Sequence, residues 1–256
     1  MEKTSIDYSN IKLGKLEAKH DPRTLQFANY LNPKALPAIP KEFAWGKSIK
    51  NWTMMHNDKI GDCTCAAAGH LIMEWTADNK KLFTPKTSDI IHAYSKISGY
   101  DPKTHLNDNG ANEIAVLNYW KANGIAGHKI LGYSGMEPKN HVHIQAAIYL
   151  FGGSYIGLAL PLSAKNQKVW SVPPGGPKGN AAPGSWGGHA VCVIGYDHCG
   201  LTVVTWGVLQ QMTWSFWDTY CDESYAIISN DFASEKVAPN GFDLNQLQID
   251  IKEVSN

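Results

Sequence analysis

Asn57-Asp58-Lys59-Ile60-Gly61-Asp62-Cys63-Thr64-Cys65-Ala66-Ala67-Ala68-Gly69-His70-Leu71-Ile72-Met73-Glu74-Trp75 opens polar and turns abruptly apolar at Cys63. Alanine is the best helix former, and residues 63–75 are apolar nearly all round, so the run predicts a buried helix. Asp62 stands where an N-cap is expected. Cys63 then falls in the first turn, where unpaired backbone N–H groups and the helix dipole favour an anion. That setting predicts a lowered thiol pKa and an available thiolate nucleophile. Gly61 lets the backbone come close to a ligand. A free cysteine in an apolar run is also a common small hydrophobe, so position alone leaves both readings open.

Outward from this helix the pattern divides. Further helices are predicted over 87–97, with Ser88 or Asp89 near the start and Gly99 past the end, over 112–122, and over 141–149 ahead of Gly152-Gly153. Strands are predicted over 155–160, 190–196, 201–206 and 225–229, with a loop rich in Pro and Gly at 173–188. Residues 1–40 are polar and irregular and end in Pro33, Pro37 and Pro40, which fix φ and remove donors; they read as an extended strap or a pro-like segment. The fold class is therefore α+β: a mainly helical region over 41–153 carries Cys63, and a β-rich region over 154–256 follows.

The chain has 256 residues, with 23 Lys plus Arg against 23 Asp plus Glu. Zero formal charge argues against a nucleic-acid binder that works by counterion release, and no basic run suggests a membrane surface. The longest apolar stretches, such as 146–151, fall well short of a membrane span of about 20 residues. The start carries no apolar leader segment, and the five cysteines are an odd, sparse set. Both point to reduced thiols in a cytoplasm rather than a disulfide scaffold. Cys63-Thr64-Cys65 is too tight for the usual zinc site, and His141-Val142-His143 reads as a solvated helix start, so no metal is expected. Cys65 reads as packing. His70, two turns along one helix face from Cys63, is too far away to act as its base.

A cysteine nucleophile needs a base, and ten histidines compete for the part. His189 stands out in Gly187-Gly188-His189-Ala190-Val191, where a glycine-rich loop enters an apolar strand. These segments together resemble the papain-like cysteine peptidases. Asn57 stands six residues before Cys63 and Gly61 two before it, like the family's Gln and Gly. Gly188-His189-Ala190-Val191 resembles its histidine strand, Thr205-Trp206-Gly207 its Asn-Ser-Trp-Gly segment, and Trp214 the second tryptophan beyond. Trp45-Gly46 is similar to the tryptophan at its mature start, and Asn109-Gly110-Ala111-Asn112 to its glycine loop for the substrate backbone. The resemblance runs in order over residues 37–230.

The resemblance implies a papain-like fold whose helical half meets a β-rich half across an active-site cleft. It also implies cleavage of a peptide or other amide bond through a thioester, with no cofactor. Cys63 would be the nucleophile, His189 the base and acid, and Asn57 with the Cys63 N–H the oxyanion donors. Gly61, Asn109, Gly110, Gly188 and Trp206 would line the substrate, with Trp206 also placed to cover the histidine's contact with its orienter. Three departures stand out. Asn57 is a methylene shorter than Gln, and Ile60 stands where secreted members often carry a disulfide cysteine. The orienting Asn is replaced by Thr205 if the alignment runs through His189, or by Val204 if it runs through Trp206-Gly207. Two other functions share these residues: a binding module that has lost turnover, and a transamidase that uses an amine acceptor.

Overall fold

Residues 8, 11–19, 21–22, 24–29 and 38–232 are described by a computed structural model. Among them lie five α-helices: α1 Cys63–Asp78, α2 Thr87–Ser98, α3 Glu113–Asn123, α4 His141–Phe151 and α5 Trp214–Tyr220. The strands are β1 Phe43–Ala44, β2 Ile130–Gly135, β3 Ser154–Leu160, β4 Val169–Trp170, β5 Gly187–Tyr196, β6 Gly200–Thr205, β7 Val208–Thr213 and β8 Cys221–Ser229. The sheet order is β2-β8-β3-β5-β6-β7-β4, antiparallel except between β4 and β7, and β1 adds to the far end of β5. The class is α+β.

Side chains alternate across a strand, and the central strands use both faces. Tyr155 of β3 and Ala190, Cys192 and Ile194 of β5 enter one core with α1, α2 and α3. Their neighbours Ile156, Leu158, Val191 and Val193 enter a second core with α4 and α5. Helix α1 is buried from Cys63 to Ala77, as its uniformly apolar sequence requires. Gly69 is what lets α2 approach it: a Cβ there would stand 2.8 Å from Ile90 Cδ1 and 2.5 Å from Met55 Sδ. Trp75 anchors the other end, stacked on Trp120 of α3 and donating its indole N–H to the carbonyls of Phe151 and Gly152.

The four predicted helices form and run one to three residues longer at their C-termini, with Gly99 and Gly152 in the left-handed cap conformation. Five elements carried no usable signal in the sequence: the two-residue strands β1 and β4, and β2, β7 and α5. Strand β2 contains two glycines and buries alternate residues only. Strand β7 has Gln210-Gln211 at its centre, and α5 is a seven-residue helix capped by the Thr213 side chain. The N-cap expectation for Asp62 is corrected. Asp62 occupies the cap position, but its carboxylate makes no cap bond and instead accepts from Asn57 Nδ2 at 3.1 Å. The strap prolines Pro33 and Pro37 lie outside the described residues. No helix among the described residues is long and apolar enough to cross a membrane.

Candidate active site

Cys63 begins α1 and faces β5, the strand that carries His189. The backbone N–H groups of Ala190, the residue after His189, and of Gly14 stand near its sulfur and favour its charged form. The expectation of a lowered thiol pKa is corrected. Cys63 is only 1 % exposed, and burial pushes its thiol up to about 12 despite those two donors. The helix terminus is overridden because a thiolate here would have no water. Asp62 is itself buried, which pushes its carboxyl well above the usual range and weakens its repulsion of the sulfur.

His189 is fully buried, and burial pulls its imidazole down to about 3, with a smaller contribution from His70. Its Nε2 lies 2.6 Å from Thr205 Oγ1, so the orienting position is occupied by Thr205 and not Val204. Its Nδ1 makes no hydrogen bond among the described residues. Trp206 stacks on the imidazole with centroids 4.5 Å apart and planes 15° apart. The backbone explains that placement. Trp206 and Gly207 form the two-residue turn between β6 and β7, both at positive φ, which folds the indole back over the end of the sheet. Tyr8, Trp170 and Trp186 ring Trp206. Trp214 instead stacks on His141 and donates to the Asp197 carbonyl.

The remaining predicted residues border a groove over Cys63 that the chain itself fills. Gly14 crosses so closely that a Cβ on it would stand 1.8 Å from the Gly61 oxygen. Ala111 N–H donates to the Gly14 carbonyl at 2.8 Å, and Leu16 N–H donates to the Ala111 carbonyl at 3.1 Å. On the opposite edge Lys15 N–H donates to the Gly188 carbonyl at 3.1 Å. Gly110 turns at positive φ with its N–H on the Tyr94 hydroxyl, while Asn109 is exposed with its N–H on Asn107. Asp108 ties these parts together by accepting from Gly61 N–H and the Tyr94 hydroxyl while pairing with Lys12 at 2.6 Å. Asn57 is buried, with one amide hydrogen on Asp62 and a second still to donate.

Sequence reasoning missed Lys15 and its partners. The Lys15 ammonium is buried between Asp222 and Glu223, 2.9 Å from an oxygen of each. Burial opposes its charge, but Glu113, Glu223 and Asp222 together hold the ammonium above its usual range. No local spacing could have found this group, since its members come from the N-terminal segment, the start of α3 and the start of β8.

No protein-family model and no curated protein matches the sequence. Solved structures do match. Xylellain, a cysteine protease from Xylella fastidiosa, is 16 % identical with a TM-score of 0.64 over 86 % of this chain and 97 % of its own. ProCathepsin B S9 from Trypanosoma congolense is 10 % identical with a TM-score of 0.60 over 85 % of this chain and 86 % of its own. The cysteine protease CMS1MS2 of Carica candamarcensis is 13 % identical with a TM-score of 0.54 over 75 % and 99 %. At such identities the likeness is one of fold. The chain has the papain-like fold.

Proposed function

We propose that this chain is a thiol hydrolase of peptide or other amide bonds, with Cys63 as nucleophile and His189 as base and acid. The observation that carries the reading is the pinned imidazole: Nε2 on Thr205, Nδ1 without a hydrogen bond among the described residues, on the strand whose next residue, Ala190, stands near the Cys63 sulfur. For Nδ1 to take the thiol proton, Nε2 must hold a hydrogen and donate it to Thr205 Oγ1. The Cys63 sulfur then adds to the substrate carbonyl, whose developing oxyanion is met by the Cys63 N–H and the Asn57 amide; one such donor is typically worth about 10²–10³ in rate. The C–N bond breaks as His189 gives its proton to the departing amine, leaving a thioester. Water, deprotonated by His189, attacks the thioester and releases the acid and the thiol.

In the described state the groove is filled, and thiol and imidazole are both neutral. Turnover therefore requires residues 11–16 to leave. The test is site-mapped alkylation together with hydrolysis of a peptide panel, comparing the native chain with Cys63→Ala. Cys63 is expected to be alkylated, and hydrolysis to vanish in the variant. Hydrolysis that persists in Cys63→Ala overturns the assignment. The replacement of Asn by Thr205 favours one second reading, a peptide-binding module without turnover, and binding with no hydrolysis of any panel member would support it.

A further inference from the structure

The segment in the groove shows what the groove can hold. Residues 14–16 lie extended, their backbone bonded to Gly188 on one side of Cys63 and to Ala111 on the other. From this backbone the Lys15 side chain, 1 % exposed, drops into a socket of carboxylates. Asp222 and Glu223 each stand 2.9 Å from its Nζ, and the Tyr225 hydroxyl fixes the second Glu223 oxygen at 2.8 Å. Glu113 is fully buried nearby, and neither of its carboxyl oxygens has a hydrogen-bond partner among the described residues. The floor is Gly157, where a Cβ would stand 2.0 Å from Lys15 Cε. Only a glycine leaves the channel down which a long unbranched side chain reaches these acids.

Two acidic side chains touch the ammonium, and the third, Glu113, adds to the negative field that holds it charged. Withdrawing the lysine leaves these buried acids without a counter-charge, so they must either take up protons, which burial favours at Glu113 and Glu223, or be met by another cation, and a cationic side chain is the partner the site is shaped for. A neutral side chain of equal length would fill the channel and leave the acids unpaired, so the socket discriminates by charge as well as shape. On its outer side Asp222 and Glu223 also line a cavity of about 520 Å³ with Lys19, Ile114 and Glu137, which gives room for a guanidinium.

Resting on the hydrolase reading above, we propose that the Glu113–Asp222–Glu223 socket selects a lysine or arginine side chain of the substrate peptide, and that Lys15 holds this place until substrate displaces residues 11–16. The test is binding to the full chain carrying Cys63→Ala and Lys15→Ala, which needs no turnover. Four fluorescent peptides differing at one position (lysine, arginine, norleucine or glutamate) are titrated by anisotropy. Lysine and arginine are expected to bind about tenfold or more tighter than norleucine, with glutamate weakest. Adding Glu223→Gln should remove most of that preference. Asp222→Asn, at the half-exposed rim of the socket, should reduce it several-fold and guards against misfolding of the more buried variant. Equal binding of lysine and norleucine peptides, a preference untouched by both substitutions, or no binding by any of the four overturns the proposal. The hydrolase reading fails separately, if Lys15→Ala with Cys63 intact binds the lysine peptide yet neither cleaves it nor is alkylated at Cys63.

Discussion

Thr205 and His189 meet at 2.6 Å in a fully buried setting, and that contact holds the imidazole in one orientation. A hydroxyl can turn to donate or accept, so it serves either tautomer, whereas an amide oxygen would only accept. Thr205→Val keeps the shape and removes the partner. The variant is expected to lose about 1–3 kcal/mol of stability, the usual cost of a buried polar atom left unsatisfied, read as a lower urea midpoint. Its kcat should fall with KM little changed, because the loss is one of orientation during reaction. Thr205→Ser should restore both. A Thr205→Val chain with native kcat and midpoint would remove Thr205 from the machinery. The Cys63 thiol teaches a complementary lesson. A helix start favours a thiolate only while water or a cation can reach it, and here burial prevails and pushes the thiol up to about 12.

Among the elements, residues 11–16 matter most for the state of the site. They are held by backbone bonds to both groove edges, by Lys12 on Asp108, and by Lys15 on Asp222 and Glu223. Gly14 is the weak point of this fit, because any Cβ there meets the Gly61 oxygen at 1.8 Å. Gly14→Ala is therefore expected to lift the segment and wet the sulfur. Once hydrated, the thiol returns toward its ordinary range near 8.5, so alkylation of Cys63 at pH 7.5 should quicken by about tenfold or more. Site-mapped mass spectrometry of the reaction course reads this directly, with exposed Cys199 as the internal reference. An unchanged Cys63 rate would mean that the segment does not control access. The sequence reading of residues 1–40 as an extended strap or a pro-like segment rested on Pro33, Pro37 and Pro40, outside this element. The path of residues 11–16 across the groove was not legible, because contacts to Ala111 and Gly188 carry no local pattern.

For the whole molecule, the two cores share one sheet. Alternate residues of β3 and β5 point into opposite clusters, so neither helical layer can detach without exposing strands that the other also covers. Loss of tryptophan fluorescence and of far-ultraviolet ellipticity should therefore coincide in a single urea transition. Two resolved transitions would show that the layers are independent.

The order of the four longer helices and of β3, β5, β6 and β8, the buried character of α1 and its start at Cys63, and the entry of His189 into an apolar strand were written in local composition and glycine placement. Such features depend on residues within a turn or two of one another, and propensity and periodicity report them directly. Two further matters were settled by packing alone: that the thiol is neutral, and that a lysine lies among three acids. Lys15 and Asp222 are 207 positions apart. Burial and charge pairing depend on which surfaces meet after the chain has folded, and no neighbour in the linear order encodes that.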